Sequence, residues 1–531
     1  MFTLFRGSSS RFHGWTVTMI LILTVALGPS LALPGTAAAA DEPCTGGVTV
    51  ALGQDIQQAI NAHGAGTTYC LAAGRYQLNA PLRLKTGDVL WGVGPSPTSG
   101  TMLVGSRVMT GWVKSGSDWY VTGALPAPYV NDVGQCEDKV KNLCKLREDV
   151  FRGSTQLLRV ATQAELTPGR FYADYQANRL YVRDDPAGAT LQLSRTAAAT
   201  VSNSGTDVTI RGLGIRYFAS PSQSAALELG DGWQAISVDT SYNHALGFKI
   251  NSATDGATFR AGRSSYNGQL GGGVNGGKNF RIEDVEVDHN NPQASYWVYD
   301  WESGGVKVTN GATGIVTRAN VHHNLGIGLW ADGQAGDAAV PQSLKFQDST
   351  LVSNSADGIR FEISYNGLIT GNTVEDNGCD LKGRRGPSNP AGLPDGAGID
   401  IAGSANVEVS GNTVARNHNA IGAQERGGRE VYLKKLRVQD NTIDSTRCAN
   451  GFGLGLTGVT SLEAKDSPGW IRTFGTEGDN RFLRNRYTIP AADGGLTAKR
   501  YAWTTSYQRT WSDWHGTAIA QDPGGTATPG N

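Results

Sequence analysis

Net charge, methionine and any patterned set of metal ligands are all scarce in this chain. Lys and Arg number 46 against 47 Asp and Glu, a formal charge of −1. No global field therefore marks it for nucleic acid or an anionic membrane, and a polyanionic partner requires a local basic patch. Only four Met and 18% charged residues accompany 71 Gly, and Asn-Gly and Asp-Gly pairs recur. That balance disfavours long helices and suits many short strands. His and Cys form no metal-binding pattern, and no Cys-x-x-Cys occurs. Gly271 to Gly277 is glycine-rich but lacks the following helix and the Lys of a phosphate loop. Beyond residue 40 no run is apolar enough to span a bilayer.

The first 40 residues stand apart. Arg6 and Arg11 precede an apolar run from Met19 to Leu33, and small residues follow from Pro34 to Ala40. This reads as a secretory signal cleaved before Asp41, with a retained anchor as the alternative. The run is short for a membrane span. Export to an oxidising space makes the six cysteines disulfide candidates, grouped by region as Cys44 with Cys70, Cys136 with Cys144, and Cys379 with Cys448. The last two share one azimuth of the repeat two rungs apart, roughly 10 Å. A bridge there needs the long loop that Cys379 opens.

What is abundant is a phrase repeated through the second half. Phe259, Ile282, Val316, Phe346, Ile369, Val409 and Val438 are spaced by 23, 34, 30, 23, 40 and 29 residues. Eight positions after the first six stand Asn267, Asn290, Asn324, Asn354, Asn377 and Asn417, and a Gly-led apolar strand follows. A floor of 23 with insertions above it is the mark of a solenoid with a fixed coil and loops at set corners. A column of Asn at one corner hydrogen-bonds from rung to rung. The expected fold is all-β, a parallel β-helix.

Organisation follows from where the phrase is present. Residues 41–105 hold an amphipathic helix at Asp55 to Asn61 and short strands at Tyr69 to Tyr76, Leu82 to Leu84 and Val89 to Gly92, an N-terminal cap and first coils. Residues 106–200 lose the period and alternate, with Trp112, Trp119, Phe151, Tyr172, Tyr175 and Tyr181, as an antiparallel β insertion would. Residues 201–460 carry the solenoid. Residues 461–521 concentrate aromatics from Trp470 to Trp514, which reads as a C-terminal cap, with a sugar-binding module as the alternative. The tail, 522–531, is expected to be disordered.

Aligning Gly305, Gly328, Gly358 and Gly398 turns Val306, Leu329, Ile359 and Ile399 inward and makes an outer column of Lys307, Trp330, Arg360 and Asp400. A second column holds Thr309, Asp332, Glu362 and Ala402. Asp332 and Glu362 are then neighbours roughly 5 Å apart. Unpaired carboxylates that close repel, which predicts a raised pKa for one. Long loops at 290–305 and 379–397 frame the column as walls of a trough and bring Tyr296, Trp297, Tyr299, Asp300, Trp301 and Glu302 over its floor, with Tyr365 at its edge. Acids, bases and aromatics in a groove are what polysaccharide cleavage needs. Asp300, Glu302 and a backbone carbonyl are a set of hard ligands for Ca²⁺. His322 and His323, just before Asn324, read as corner residues.

Three stretches, Trp301-Glu-Ser-Gly-Gly-Val-Lys307, His322-His-Asn-Leu-Gly-Ile-Gly-Leu-Trp-Ala-Asp332 and Asp357-Gly-Ile-Arg-Phe-Glu-Ile-Ser-Tyr365, resemble secreted bacterial right-handed parallel β-helix repeat proteins of the pectin-lyase-like superfamily. The resemblance covers 205–445. Ile56 to Leu103 is similar to the superfamily's helix-plus-first-coil entry, and 151–192 to an insertion in several β-helix glycosidases. It implies a right-handed coil and a superfamily that spans lyases, hydrolases, epimerases and non-enzymatic proteins. Asp300 and Glu302 ahead of Lys307 are similar to the calcium ligands and lysine base of alginate and chondroitin lyases. Those lyases carry Arg-His-Gly one coil on, where this chain has Leu329-Trp330-Ala331, and the polygalacturonase phrases are missing.

The expectation is a secreted, monomeric, carbohydrate-active enzyme acting on a polysaccharide or cell-wall glycan. Asp332 and Glu362 serve as the acid pair of a hydrolase, flanked by Lys307 and Arg360, with Trp330, Trp301, Glu302, Tyr299 and Tyr365 binding sugar. Lyase or epimerase chemistry through Lys307 or Arg360 with Ca²⁺ is the alternative, and a non-catalytic glycan-binding solenoid is the rival from another class.

Overall fold

A computed structural model describes residues 43–128, 133–292, 297–298, 301–380, 396–504 and 506–530. The recurrent phrase folds into stacked coils with three parallel ladders. One sheet runs from Ala225–Leu229 through Gly304–Thr309, Ile327–Ala331, Ile359–Glu362 and Ala397–Ala402 to Tyr501–Thr504. The other two ladders join into one sheet where the early strands Thr209–Arg216 and Gln234–Ser241 bend through a corner and pair on both faces.

The inward column is as the spacing requires. Phe259, Ile282, Val316, Phe346, Ile369, Val409 and Val438 pair rung to rung in register, and Phe482 extends the line. All are buried in the continuous core. Each coil leaves half its apolar face open, so only stacking removes it from water.

The Asn column forms as well, and starts one rung earlier than the sequence suggested. The Nδ2 groups of Asn243, Asn267, Asn290, Asn324, Asn354 and Asn377 each donate to the next Oδ1, at 2.9–3.0 Å, ending on Asn417. The backbone N–H of each donates to the same oxygen. The residue before each Asn, such as Tyr266, His289 or His323, has a φ of 52–60°, the left-handed turn that makes the corner. A second ladder at another corner, Asn372, Asn412, Asn441 and Asn485, ends on Asp522.

Both ends are closed. The helix Ile56–Ala62, capped by Asp55, covers the first coil with Ile56 and Ile60. At the other end Phe482, Tyr487, Tyr501, Trp511 and Trp514 form an interlocking ring cluster, so these aromatics pack as a cap. The tail expected to be disordered is instead ordered: Thr526–Gly530 pairs in parallel with Arg486–Pro490, and Asp522 is fully buried. Its physical reason is the ladder, because Asn485 needs an acceptor on the next rung.

The insertion makes two small, mainly antiparallel sheets with their own core around Phe171, Leu180 and Leu193. One pairing within it, Leu158–Val160 with Arg170–Asp174, is parallel. The three disulfides are the expected pairs, with Cα separations of 5.6, 5.6 and 5.7 Å. Cys448 reaches Cys379 because the turn from Cys448 to Phe452 folds back over the corner and Asn450 donates to Cys379 O at 2.9 Å. Among the described residues no helix is long and apolar enough to cross a membrane.

Candidate functional site

Strand alternation places the two columns as the Gly-led alignment dictates. Val306, Leu329, Ile359 and Ile399 pair in register on the buried inner face. Lys307, Trp330, Arg360 and Asp400 pair in register on the outer one. That outer column is not an open floor, because each of its four residues is 5% exposed or less. Trp330 packs against Ile327, Ala356, Phe452 and the Cys379–Cys448 bridge. Expected as a sugar-stacking plane, it is core, because the turn that carries Cys448 lies on it. Arg360 is equally enclosed, paired with Asp357 at 2.5 Å and Asp400 at 3.3 Å, both carboxylates being fully buried.

Asp332 and Glu362 do not stand as an unpaired couple. Asp332 Oδ2 accepts from Lys307 Nζ at 2.8 Å, and its Oδ1 from Gly333 N–H at 2.7 Å. Glu362 Oε1 accepts from Arg426 Nη1 at 2.8 Å. Each carboxylate is engaged by a different cation, one toward each end of the stack, and this relieves the repulsion expected between them. Lys307 also bonds Glu302, and its ammonium lies 3.7 Å from the Trp330 ring centroid.

The loop residues divide similarly. Tyr296, Tyr299 and Asp300 lie outside the described residues, and with them the expected Ca²⁺ set. Trp297, expected over the trough, is fully buried against the Cys136–Cys144 bridge of the insertion. Trp301 is half-buried beside Glu302, and Tyr365 is half-buried at the corner after Glu362. His323 is a corner residue stacked on His289, ring centroids 5.2 Å apart. Burial, then the neighbouring His322 and His289, hold its pKa below the usual imidazole value.

The open space lies nearer the N-terminus. A cleft of about 260 Å³ on the outer face of the same sheet is lined by Lys249, Gly273, Asn275, Glu302, Lys307 and Asp332, among others. Lys249, Gly273 and Lys307 occupy the same outward position on three successive rungs. Gly273 therefore leaves a gap between two lysines. Its neighbour Gly272 points inward, where a Cβ would lie 2.2 Å from the Phe248 ring. Of the residues expected from sequence, Lys307, Asp332 and Glu302 come together here, while Trp330, Arg360 and Glu362 are left out. Lys249 and Gly273 were missed, yet the signal was present. Extending the Gly-led alignment back to Gly247-Phe-Lys249 and Gly271-Gly-Gly273 puts both in the outer column.

A metal-ligating set occurs on another face. Glu286, Asp288 and His322 offer atoms within 4.8 Å of one another. Arg263 already pairs with both carboxylates, at 3.5 and 2.9 Å. Burial raises the Asp288 carboxyl, and its bonds from Arg263, Ser265 and His289 outweigh that and hold it below the usual carboxylate range.

A family profile described as a right-handed beta helix region matches residues 224–414. No curated protein matches the chain. A solved structure described as the complex of XylC with xylose superposes with a TM-score of 0.56 at 13% identity, covering 82% of this chain and 80% of that one. The A-module of the Azotobacter vinelandii mannuronan C-5 epimerase AlgE4 gives 0.47 at 14%, covering 85% and 93%. The catalytic unit of a GH87 alpha-1,3-glucanase from Streptomyces thermodiastaticus gives 0.40 at 11%, covering 85% and 64%. At such identities the first of these speaks to the fold alone, and the other two are too distant to carry an argument. With three parallel ladders, a stacked apolar column and a profile match over the central coils, the chain has the fold of a right-handed parallel β-helix.

Proposed function

We propose that this is an exported carbohydrate-active enzyme that hydrolyses a glycan in the cleft above Gly273, with Glu302 and Asp332 as its carboxylate pair. The observation that carries the reading is that both acids line the cleft and both bond the same Lys307 ammonium. Two hydrogen bonds of about 3 Å to one nitrogen keep the carboxylates within about 6 Å of each other, close to the ~5–5.5 Å of retaining enzymes. Asp332, fixed by Lys307 and by Gly333 N–H, is the nucleophile that attacks the anomeric carbon. Glu302, on the loop side, gives its proton to the departing glycosidic oxygen, and then takes one from the water that attacks the anomeric carbon and releases the sugar from Asp332. Lys307 compensates whichever carboxylate carries charge. Three disulfides and the apolar leader support export. Trp301, half-buried and next to Glu302 in the chain, is the residue we assign as an aromatic edge for a sugar ring.

The second reading, β-elimination or epimerisation with Lys307 as base, is favoured by the entry of that side chain into the cleft. Against it, the ammonium is already donating to two carboxylates. A polysaccharide panel assayed for new reducing ends and for ultraviolet-absorbing unsaturated products separates these readings from a binding solenoid. Hydrolysis gives reducing ends without unsaturation, and Glu302→Gln or Asp332→Asn lowers the rate by about 10²–10⁴. Unsaturated products transfer the role to Lys307. Full activity in an Asp332→Asn, Glu302→Gln double variant removes the pair.

A further inference from the structure

Lys249 has no place in the hydrolytic step, and its surroundings differ from those of Lys307. The two lysines share one outward column with Gly273 between them, roughly 10 Å apart along the stack. Lys307 is matched by two carboxylates, but among the described residues none pairs with Lys249. Its ammonium donates to Gln223 O at 3.0 Å. The carboxylate of Glu228, in register on the preceding rung, has both its oxygens taken up, by Ala225 N–H and Asn251 Nδ2. A half-buried ammonium on a cleft wall, facing a rung with no side chain, is a cation with an acceptor missing on the ligand side.

We propose that Lys249 is a substrate-recognition residue: it takes an anionic substituent, a carboxylate or a sulfate ester, on the sugar ring that lies over Gly273. This rests on the glycan reading above and adds the chemical class of the sugar. Gly273 belongs to the same device. A Cβ there would meet only Leu246 Cδ2 closely, at 2.9 Å, with Lys249 Cγ and Lys307 O at 4.0 Å. The fold tolerates a side chain at this position after a small shift of Leu246, whereas a bound ring would lose its floor.

The test is isothermal titration of the whole protein with trigalacturonate, sulfated N-acetylgalactosamine and xylotriose, at low and raised salt. One anionic probe is expected to bind about tenfold or more tightly than xylotriose, with affinity falling as salt rises. Which probe binds tells carboxylate from sulfate. Lys249→Met is expected to weaken that probe about tenfold. Gly273→Val is expected to abolish binding while keeping a cooperative melting transition. Equal or tighter binding of xylotriose, no binding of either anionic probe, or unchanged affinity in Lys249→Met overturns the inference. Cleavage confined to neutral glycans overturns it and leaves the hydrolase reading standing. A panel with neither binding nor product overturns both.

Discussion

The two tryptophans near the cleft have opposite duties, although the sequence gives them the same look. Trp330 lies under Lys307 and is walled in by Phe452 and a disulfide, whereas Trp301 keeps part of its surface beside Glu302. Trp330→Ala should therefore cost stability, about 3–5 kcal/mol for a large aromatic removed from a packed site, read as a shift of the denaturant midpoint. Trp301→Ala should leave that midpoint near the wild-type value and raise KM on a cleaved glycan several-fold, the loss of one stacking contact of about 1 kcal/mol. If the two results are exchanged, Trp330 is the sugar platform and the site lies over the later rungs. Glu362 illustrates the limit of pattern reading at this scale. Its outward position was legible from alternation, but its engagement by Arg426, which follows it by 64 residues, depends on where a later coil returns.

At the scale of elements, two closures hold the edges of the stack. The Cys379–Cys448 bridge closes a sequence separation of 69 residues, for which loop entropy gives about 4 kcal/mol. Replacing both cysteines by Ser should lower the unfolding free energy by that order, measured by urea denaturation. A change under about 1 kcal/mol would place its role in positioning the turn over Trp330 instead. The second closure is Asp522, which takes over from Asn as acceptor for Asn485 N–H and Nδ2 and also accepts from Tyr487 Oη. Burial raises its pKa above the ordinary carboxyl value despite those bonds. A carboxyl raised in the folded state contributes stability that is complete below its unfolded pKa and is lost as pH rises through the folded one. Asp522→Asn, which continues the ladder without a charge, is expected to melt higher than the wild type at neutral pH. The gap should narrow in acid, and a gap that widens there would mean the charge itself is favourable.

Through the stacked coils the Asn ladder and the apolar column act as one cooperative unit. Asn354 sits mid-ladder: it accepts from the N–H and Nδ2 of Asn324 and donates to Val321 O and Asn377 Oδ1. Asn354→Ala strands the two donors of Asn324 and takes a donor from Val321 O inside the stack, while Asn377 Oδ1 keeps the backbone N–H of residue 354. At about 1–3 kcal/mol per buried unsatisfied group, the total should be several kcal/mol, visible as a lower melting temperature. Asn243→Ala, at the start of the ladder, should cost less because no ladder Asn donates to it. Equal losses at the two positions would mean the ladder is a set of independent bonds.

Period and alternation were sufficient for the coil, its inward column, one of its two ladders and the first helix, because each is local: a strand residue, a corner Asn and a Gly at fixed offsets build one rung that can bury its face only on its copies. The Cys379–Cys448 pairing, 69 residues apart, waited on the turn that folds back. The second ladder was equally local, with Asn372, Asn412, Asn441 and Asn485 three residues after the column positions, and only the choice of column concealed it. What alternation left open was which outward residues meet solvent. Loop return settled that, since the turn beyond Cys448 covers Trp330 and the later rungs while Gly273 leaves the earlier rungs open. Asp332 turns toward Lys307 and Glu362 toward Arg426, so the carboxylate partner facing Asp332 across an ammonium is Glu302, from a loop rather than a rung. A repeat determines the rod, because every coil obeys the same spacing. The insertions that interrupt the repeat have no period to read, and they decide where the rod is open.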